Sequence, residues 1–188
     1  MSDDIDMILL EATEKMDKAI EVAREDFATI RTGRANAGMF NKISVDYYGT
    51  LTPLNQLASF QVPEARMIVI SPYDKGAMSA IEKSLRDSDL GINPNTDGEI
   101  IRVVLPELTE ERRKEYIKMA RAKAEDSRVS MRNIRRHAKD SLDKLQKDGE
   151  AGEDDVRRAE KQLDDLTHKH VEHIDEVLKH KEAELLEV

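Results

Sequence analysis

Cysteine is absent from the 188-residue chain, and so is tryptophan. Without Cys there is no disulfide framework, no thiolate nucleophile and no Cys-ligated zinc site, and nothing indicates oxidising surroundings. No apolar run approaches the ~20 residues of a membrane span. The opening Met1-Ser2-Asp3-Asp4 is acidic where a secretory signal is basic. A cytoplasmic protein with no membrane association is therefore expected. Also missing are a Gly-x-x-x-x-Gly-Lys phosphate loop, a dinucleotide glycine fingerprint and a Gly-x-Ser-x-Gly elbow. Carboxylates abound but are scattered along polar faces, with no cleft in which displaced pKa values could support acid–base work. The chain reads as a non-enzyme, with no catalytic residues, no bound metal and no cofactor.

Glycine and proline are scarce, at eight and five residues, while 37% of the chain is charged. A typical globular protein carries about 25% charged residues. Disorder and long solvated helices both fit that composition, and the spacing of the apolar residues selects helices. In residues 3–30 they fall at Ile5, Leu9, Ala12, Met16, Ala19, Ala23, Phe27 and Ile30. Steps of three and four make one helical stripe. The same spacing predicts helices over 109–148 (Ile117, Ala120, Ala124, Met131, Ile134, Ala138, Leu142, Leu145) and 153–186 (Val156, Ala159, Leu163, Leu166, His170, Ile174, Val177, Leu185). Thr109 is placed to cap the second helix and Gly149 to end it. Helices of this length pack side by side with coiled-coil-like seams, which predicts an elongated three-helix rod.

Residues 33–105 differ. They hold five of the seven aromatics (Phe40, Tyr47, Tyr48, Phe60, Tyr73) and four of the five prolines. Ile43–Tyr48 alternates, Gly49-Thr50 reads as a tight turn, and Leu57–Val62, Met67–Ile70 and Ile100–Leu105 are strand-like. Met78–Arg86 has a helical pattern. The predicted fold is α+β: a three-helix bundle of residues 1–32 and 106–188 with a small β/α/β domain, 33–105, inserted between its first two helices. Tyr47, Tyr48 and Phe40 are read as core residues of that insert, with partner contact the alternative. Two linkers join the parts, Arg31-Thr32-Gly33-Arg34 and Leu105-Pro106-Glu107-Leu108. A two-strand hinge at Arg31, Thr32, Gly33 and Pro106 is the expectation, and a rigid domain boundary the alternative.

The net charge of −9 is unevenly spread. Residues 1–30 carry −6, 31–108 carry −1, 109–148 carry +5 and 149–188 carry −7. Eleven Lys or Arg stand against three acids between Arg112 and Lys139. Lys114, Lys118, Arg121, Arg128, Arg132, Arg135 and Lys139 recur at helical spacing and fall within about 100° of one another. They form a basic ridge roughly a right angle from the apolar seam, interrupted only by Glu125. Like charges one turn apart repel, and a polyanion would relieve that repulsion with release of counterions. Arginine dominates the centre, as suits bidentate phosphate contact. No stacking aromatics accompany it, so RNA would be held by shape and backbone rather than by sequence. The alternative is a solvated face neutralised by acids of the neighbouring helices.

Two weaker constellations read as structural. His168, His170, His173 and His180 cluster in the last helix, and His170 and His173 share a face, yet no carboxylate completes a Glu-x-x-His pattern. His170 sits in the apolar seam and is expected to be packed. Asn93-Pro94-Asn95-Thr96-Asp97-Gly98 superficially opens like a calcium loop, but Val104 occupies the position of its bidentate carboxylate. Two consecutive turns are expected there.

Several stretches then stand out together: Ile30-Arg31-Thr32-Gly33-Arg34-Ala35, Tyr47-Tyr48-Gly49-Thr50, Thr52-Pro53-Leu54, Gln56-Leu57-Ala58, Ser88-Asp89-Leu90-Gly91 and Asn93-Pro94-Asn95. They are joined by Leu108-Thr109-Glu110-Glu111-Arg112-Arg113-Lys114 and Val129-Ser130-Met131-Arg132-Asn133-Ile134-Arg135-Arg136. In order and spacing they resemble the bacterial ribosome recycling factor family over essentially the whole chain. The resemblance implies an L-shaped monomer about the size of tRNA, with a three-helix bundle hinged to a β/α/β domain. It implies a factor that acts on the post-termination 70S ribosome with elongation factor G and GTP, promoting its dissociation into subunits and releasing mRNA. GTP would be hydrolysed by the elongation factor, in keeping with the missing phosphate loop. The resemblance further assigns the bundle to the large subunit's rRNA, chiefly through Arg132 and Arg135, and the small domain to elongation factor G. With the ridge, the candidate RNA-binding set is Lys118, Arg121, Arg128, Arg132, Arg135, Arg136 and Lys139. Several acidic and His residues of the last helix depart from the family pattern. The rival function is a helical-bundle adaptor that binds protein partners without RNA.

Overall fold

A computed structural model describes residues 2–187. Three long helices carry the chain: α1 (Asp3–Ala28), α4 (Glu110–Lys147) and α5 (Glu153–Leu186). Between the first two lie strands β1 (Ser44–Tyr47), β2 (Thr50–Pro53), β3 (Ala58–Glu64), β4 (Met67–Pro72), β5 (Pro94–Asp97) and β6 (Ile100–Val104), a single turn α2 (Leu54–Leu57) and helix α3 (Met78–Arg86). The fold is α+β, with long helices and a small sheet domain. The chain divides into two compact units. One holds residues up to Arg24 together with Ala120–Lys181; the other holds Glu25–Met119 and the last residues from Glu182. The unit boundaries thus cut through the long helices, and positions 32/33 and 105/106 lie inside the second unit.

The first unit is a three-helix bundle whose seam follows the apolar spacing. Ile5, Ala12, Met16, Ile20 and Ala23 of α1 are buried with Ala120, Ala124, Met131, Ala138 and Leu142 of α4, and with Val156, Ala159, Leu163 and Ile174 of α5. Alanines at several seam positions of α4 let the helices approach closely, while Met131, fully buried, fills the irregular space between them. The α4 start is capped as expected, the Arg112 amide donating to Thr109 Oγ1 at 3.1 Å. At its other end Gly149 takes φ 74°, and the Glu150 amide returns to the Leu145 carbonyl at 2.9 Å. Only a residue without Cβ adopts that left-handed cap cheaply.

In the second unit, β3-β4-β6-β5 form an antiparallel sheet and β1-β2 a separate hairpin. Ile68 and Ile70 of β4 pair with Val103 and Ile101 of β6, so alternate residues of both strands face one core. Ile81 and Leu85, one turn apart on α3, join that core with Phe40, Val45 and Leu54. Phe40 stacks on Phe60 with ring centroids 5.6 Å apart. Strand β2 begins at Thr50, which was expected in the turn, and β5 lies where two consecutive turns were expected. In particular, Pro94–Asp97 pairs with β6, and the turn is confined to Gly98 (φ 65°) and Glu99. Tyr48 also departs from the expected core position, being 75% exposed at the tip of the β1–β2 hairpin. It takes φ 49° and Gly49 φ 85°, the twist that a two-residue hairpin turn requires. What holds a bulky residue in that conformation is Asp74. Its carboxylate accepts from Tyr47 Oη (2.8 Å), Tyr48 Oη (3.3 Å) and the Gly76 amide (2.8 Å).

Candidate nucleic-acid interface

Burying Ala124, Met131 and Ala138 against α1 and α5 turns the basic face of α4 outward. Lys118, Arg121, Arg132, Arg136 and Lys139 are exposed, whereas Arg128 and Arg135 are partly covered. Lys118 belongs to the second unit and the other six to the first. The face is not a bare row of cations. Arg128 donates from Nε and Nη2 to Asp175 Oδ1 on α5, at 2.9 and 2.6 Å, and from Nη1 to Glu125 Oε2 at 3.1 Å. Arg132 Nη2 donates to the other oxygen of Glu125 at 3.2 Å. Arg135 Nε donates to Asp164 Oδ1 on α5 at 2.6 Å. Arg136 Nη2 donates to Asn133 Oδ1 at 2.7 Å, and Lys114 pairs with Glu110. Neutralisation by a neighbouring helix, the alternative raised by the sequence, is thus realised for Arg128 and Arg135.

The electrostatics follow from these contacts. Hydrogen bonds from Arg128, then Arg132, hold the Glu125 carboxyl below the usual carboxylate range. Asp175 first, and Glu125 second, strengthen the protonated state of Arg128 against its partial burial. Pairing is unequal along the face. The Arg128 side chain is 23% exposed and held from two sides, while Arg132, at 59%, has a single long bond. Arg135 is bound through Nε alone, leaving its terminal nitrogens without a bond to Asp164.

Sequence reading treated Glu125 as a gap in the ridge and did not single out Asp164 or Asp175. A signal for both existed. Helices α4 and α5 form an antiparallel hairpin closing at Gly149–Gly152, so a residue faces one about as far beyond the turn as it lies before it. Arg135 with Asp164 and Arg128 with Asp175 each meet that relation to within two residues.

The remaining candidates are tied down within their own units. His170 is buried, with Nδ1 2.7 Å from the Leu166 carbonyl and Nε2 2.7 Å from Asp17 Oδ1 of α1. His173 Nε2 accepts from Arg24 at 2.7 Å. Among the described residues no three His, Asp or Glu side chains are grouped to hold a metal ion. In the second unit Arg31 is 5% exposed, and its Nη2 donates to the Pro106 carbonyl, tying one linker to the other. Its Nε has no partner. Burial lowers the Arg31 pKa, with nearby Arg66 adding to the effect and Tyr116 opposing it. Thr32 is buried and exchanges hydrogen bonds with the backbone of Arg34. Gly33 has no positive φ, and an added Cβ would make only ordinary contact, so neither space nor backbone conformation requires glycine there. No helix among the described residues is long and apolar enough to cross a membrane.

A family model described as ribosome recycling factor matches residues 23–186. The chain belongs to the ribosome recycling factor family. The ribosome-recycling factor of Acidothermus cellulolyticus is 74% identical over 184 residues, covering 98% of this chain and all of that protein. That of Kineococcus radiotolerans is 70% identical over the same span. A solution structure of the ribosome recycling factor aligns with a TM-score of 0.79 at 39% identity, covering the whole of both chains. A second neighbour, at TM-score 0.69 and 40% identity, covers 97% of this chain and 99% of its own. It comes from models of the T. thermophilus ribosome recycling factor and the E. coli elongation factor G bound to the E. coli post-termination complex. Membership of that family makes the chain a translation factor and not an enzyme.

Proposed function

We propose that this factor binds the post-termination ribosome and, with elongation factor G and GTP, promotes its dissociation into subunits with release of mRNA. The bundle segments 1–32 and 106–188 hold the large subunit's rRNA through Lys118, Arg121, Arg128, Arg132, Arg135, Arg136 and Lys139. Domain 33–105 faces the elongation factor, with Arg31, Thr32, Gly33 and Pro106 as the hinge. The factor acts in the cytoplasm, as a monomer without a cofactor of its own, and GTP is hydrolysed by its partner. The observation that carries the reading is the outward row of arginines on α4, with Arg132 mostly exposed and held by one long bond. Guanidinium groups presented along one helix face match successive phosphates of folded RNA and need no base contacts. Differential binding to the intact and split ribosome then gives the process its direction.

Splitting of post-termination ribosomes, followed by light scattering with the factor, elongation factor G and GTP each omitted in turn, tests the activity. Splitting requires all three; unaltered splitting without the factor sinks the proposal. For the interface, Arg132→Ala and Arg135→Ala each weaken binding to the large subunit and reduce the salt slope by about one unit. The ion pairs to Asp164 and Asp175 favour a second reading, a bundle adaptor that binds proteins through a neutralised face. Binding to ribosomes that survives RNase and moderate salt would support it.

A further inference from the structure

Three guanidinium groups of the α4 face, those of Arg128, Arg132 and Arg135, already have anions on them. Glu125, Asp164 and Asp175 donate no hydrogen bond and fill no core position; their side chains are 54%, 54% and 52% exposed. These three carboxylates nonetheless accept the ion-pair bonds made by Arg128, Arg132 and Arg135. A phosphate needs the same donor atoms in the same planar geometry. Building on the proposed RNA contact, we propose that Glu125, Asp164 and Asp175 act as internal competitors for that contact and set its specificity. They disfavour RNA in two ways: they occupy the arginine donors, and once displaced they stand as negative charges beside the phosphates.

The consequence is selectivity for a surface rather than for charge. A single phosphate that displaces one carboxylate exchanges one anion for another and leaves the displaced one nearby to repel it. Folded RNA meeting the whole face, about 10 Å of helix axis from Arg128 to Arg135, replaces all three together and adds the cations outside the pairs, Lys139 and Arg136 among them. The set is also graded. Glu125 bridges Arg128 and Arg132 with its two oxygens, at 3.1 and 3.2 Å, so removing it frees donors on both. Asp164 holds only Arg135. Asp175 takes two bonds from the less exposed Arg128 and is the least readily displaced of the three. An exposed pair shifts an equilibrium by at most about fivefold. Such contacts are weak enough to yield to a matching polyanion, and together strong enough to reject a poor one.

The test uses the full chain with two probes, a short A-form RNA duplex of non-ribosomal sequence and isolated large ribosomal subunits, across a salt series. Glu125→Gln and Asp164→Asn each tighten duplex binding about twofold to fivefold at low salt, the double variant does so by more, and the preference for subunits over duplex falls. The gain shrinks as salt rises. Glu14→Gln, an exposed neutralisation on α1, leaves both affinities unchanged. Equal tightening by Glu14→Gln would reduce the effect to net charge and overturn the proposal. So would unchanged or weaker duplex binding by Glu125→Gln and Asp164→Asn in variants whose circular dichroism melts match the parent. Arg132→Ala separates the two layers. If it weakens subunit binding while the acid variants do nothing, only the competition fails; if it leaves subunit binding intact, the RNA contact itself fails.

Discussion

Arg31 offers the sharpest contest between opposing effects. It is 5% exposed, makes one hydrogen bond, to the Pro106 carbonyl, and leaves Nε unpartnered. Arg31→Met keeps a long unbranched chain of similar reach and removes only the guanidinium. The loss is one bond from a charged donor, about 1.5–3 kcal/mol. The relief is a buried donor left without a partner, about 1–3 kcal/mol, together with removal of a cation whose pKa burial already lowers. The two nearly cancel, so the variant should unfold in urea within about 1 kcal/mol of the parent. Arg31→Ala also deletes the packed methylenes and leaves a cavity, and should cost about 2 kcal/mol or more. Urea unfolding followed by far-ultraviolet circular dichroism measures both. A Met variant that loses about 3 kcal/mol or more would refute the reasoning, because the Pro106 bond would then far outweigh the burial of the charge. If stability is kept, the tie between the linkers is free to serve the hinge proposed above. Subunit splitting by the Met variant should then change although its stability does not.

Three further outcomes follow from the contacts described. Asp74 is held below the usual carboxylate range by the Tyr47 hydroxyl first and the Gly76 amide second, while Tyr47 and Tyr48 are raised. A depressed carboxyl stabilises the fold above its ordinary pKa and stops doing so as pH falls through the depressed one. Asp74→Asn should therefore melt earlier at neutral pH, with the difference closing in acid, and ultraviolet titration should show two tyrosines ionising at lower pH than in the parent. Glu160 shifts the other way, raised by burial first and by Asp143 second, so its ionised form is disfavoured in the fold. Glu160→Gln should raise the melting temperature at neutral pH by a small amount that vanishes as pH drops below the ordinary carboxylate value; a gain that grows in acid would contradict this. Met131→Ala, at the fully buried centre of the α4 seam, should cost about 2–5 kcal/mol in urea unfolding, and a cost under 1 kcal/mol would mean that the seam collapses around the gap.

The long helices were legible because their determinants are local. Seam spacing, the Thr109 cap and Gly149 place α4 and α5 within a residue of where the sequence puts them. Ile20 shows the limit of reading a stripe by eye: between Met16 and Ala23, steps of three and four fit Ala19 and Ile20 equally, and it is Ile20 that is buried. The sheet was less legible for a physical reason. β5, Pro-Asn-Thr-Asp, is made of turn-forming residues, and only pairing with β6 makes it a strand. Tyr48 misled for a related reason. An aromatic in a mixed segment is ordinarily core, yet here an external carboxylate on Asp74 holds it outward in a left-handed conformation.

At the interface, the two halves of the site differed in how far apart in the chain their causes lie. The arginine face is a property of one helix, and helical spacing alone displays it. Its anions are a property of two helices: Asp164 lies 29 residues from Arg135, and Asp175 lies 47 residues from Arg128. A row of like charges on one helix is unfavourable by itself, so some neutralising anion had to be supplied, by the protein or by a ligand. Sequence raised both sources as alternatives. The competition proposed above makes them consecutive occupants of the same donors, with weak internal carboxylates present before phosphate arrives. On that footing the strength of RNA binding cannot be read from the count of arginines. It depends on the difference between each arginine's internal and external partner. The largest effect should therefore come at Arg132, whose internal bond is the longest and whose side chain is the most exposed of the three, and the smallest at Arg128. An alanine series in which Arg128→Ala weakened subunit binding more than Arg132→Ala, with stability unchanged, would reverse that order and remove the basis for ranking them by what they already hold.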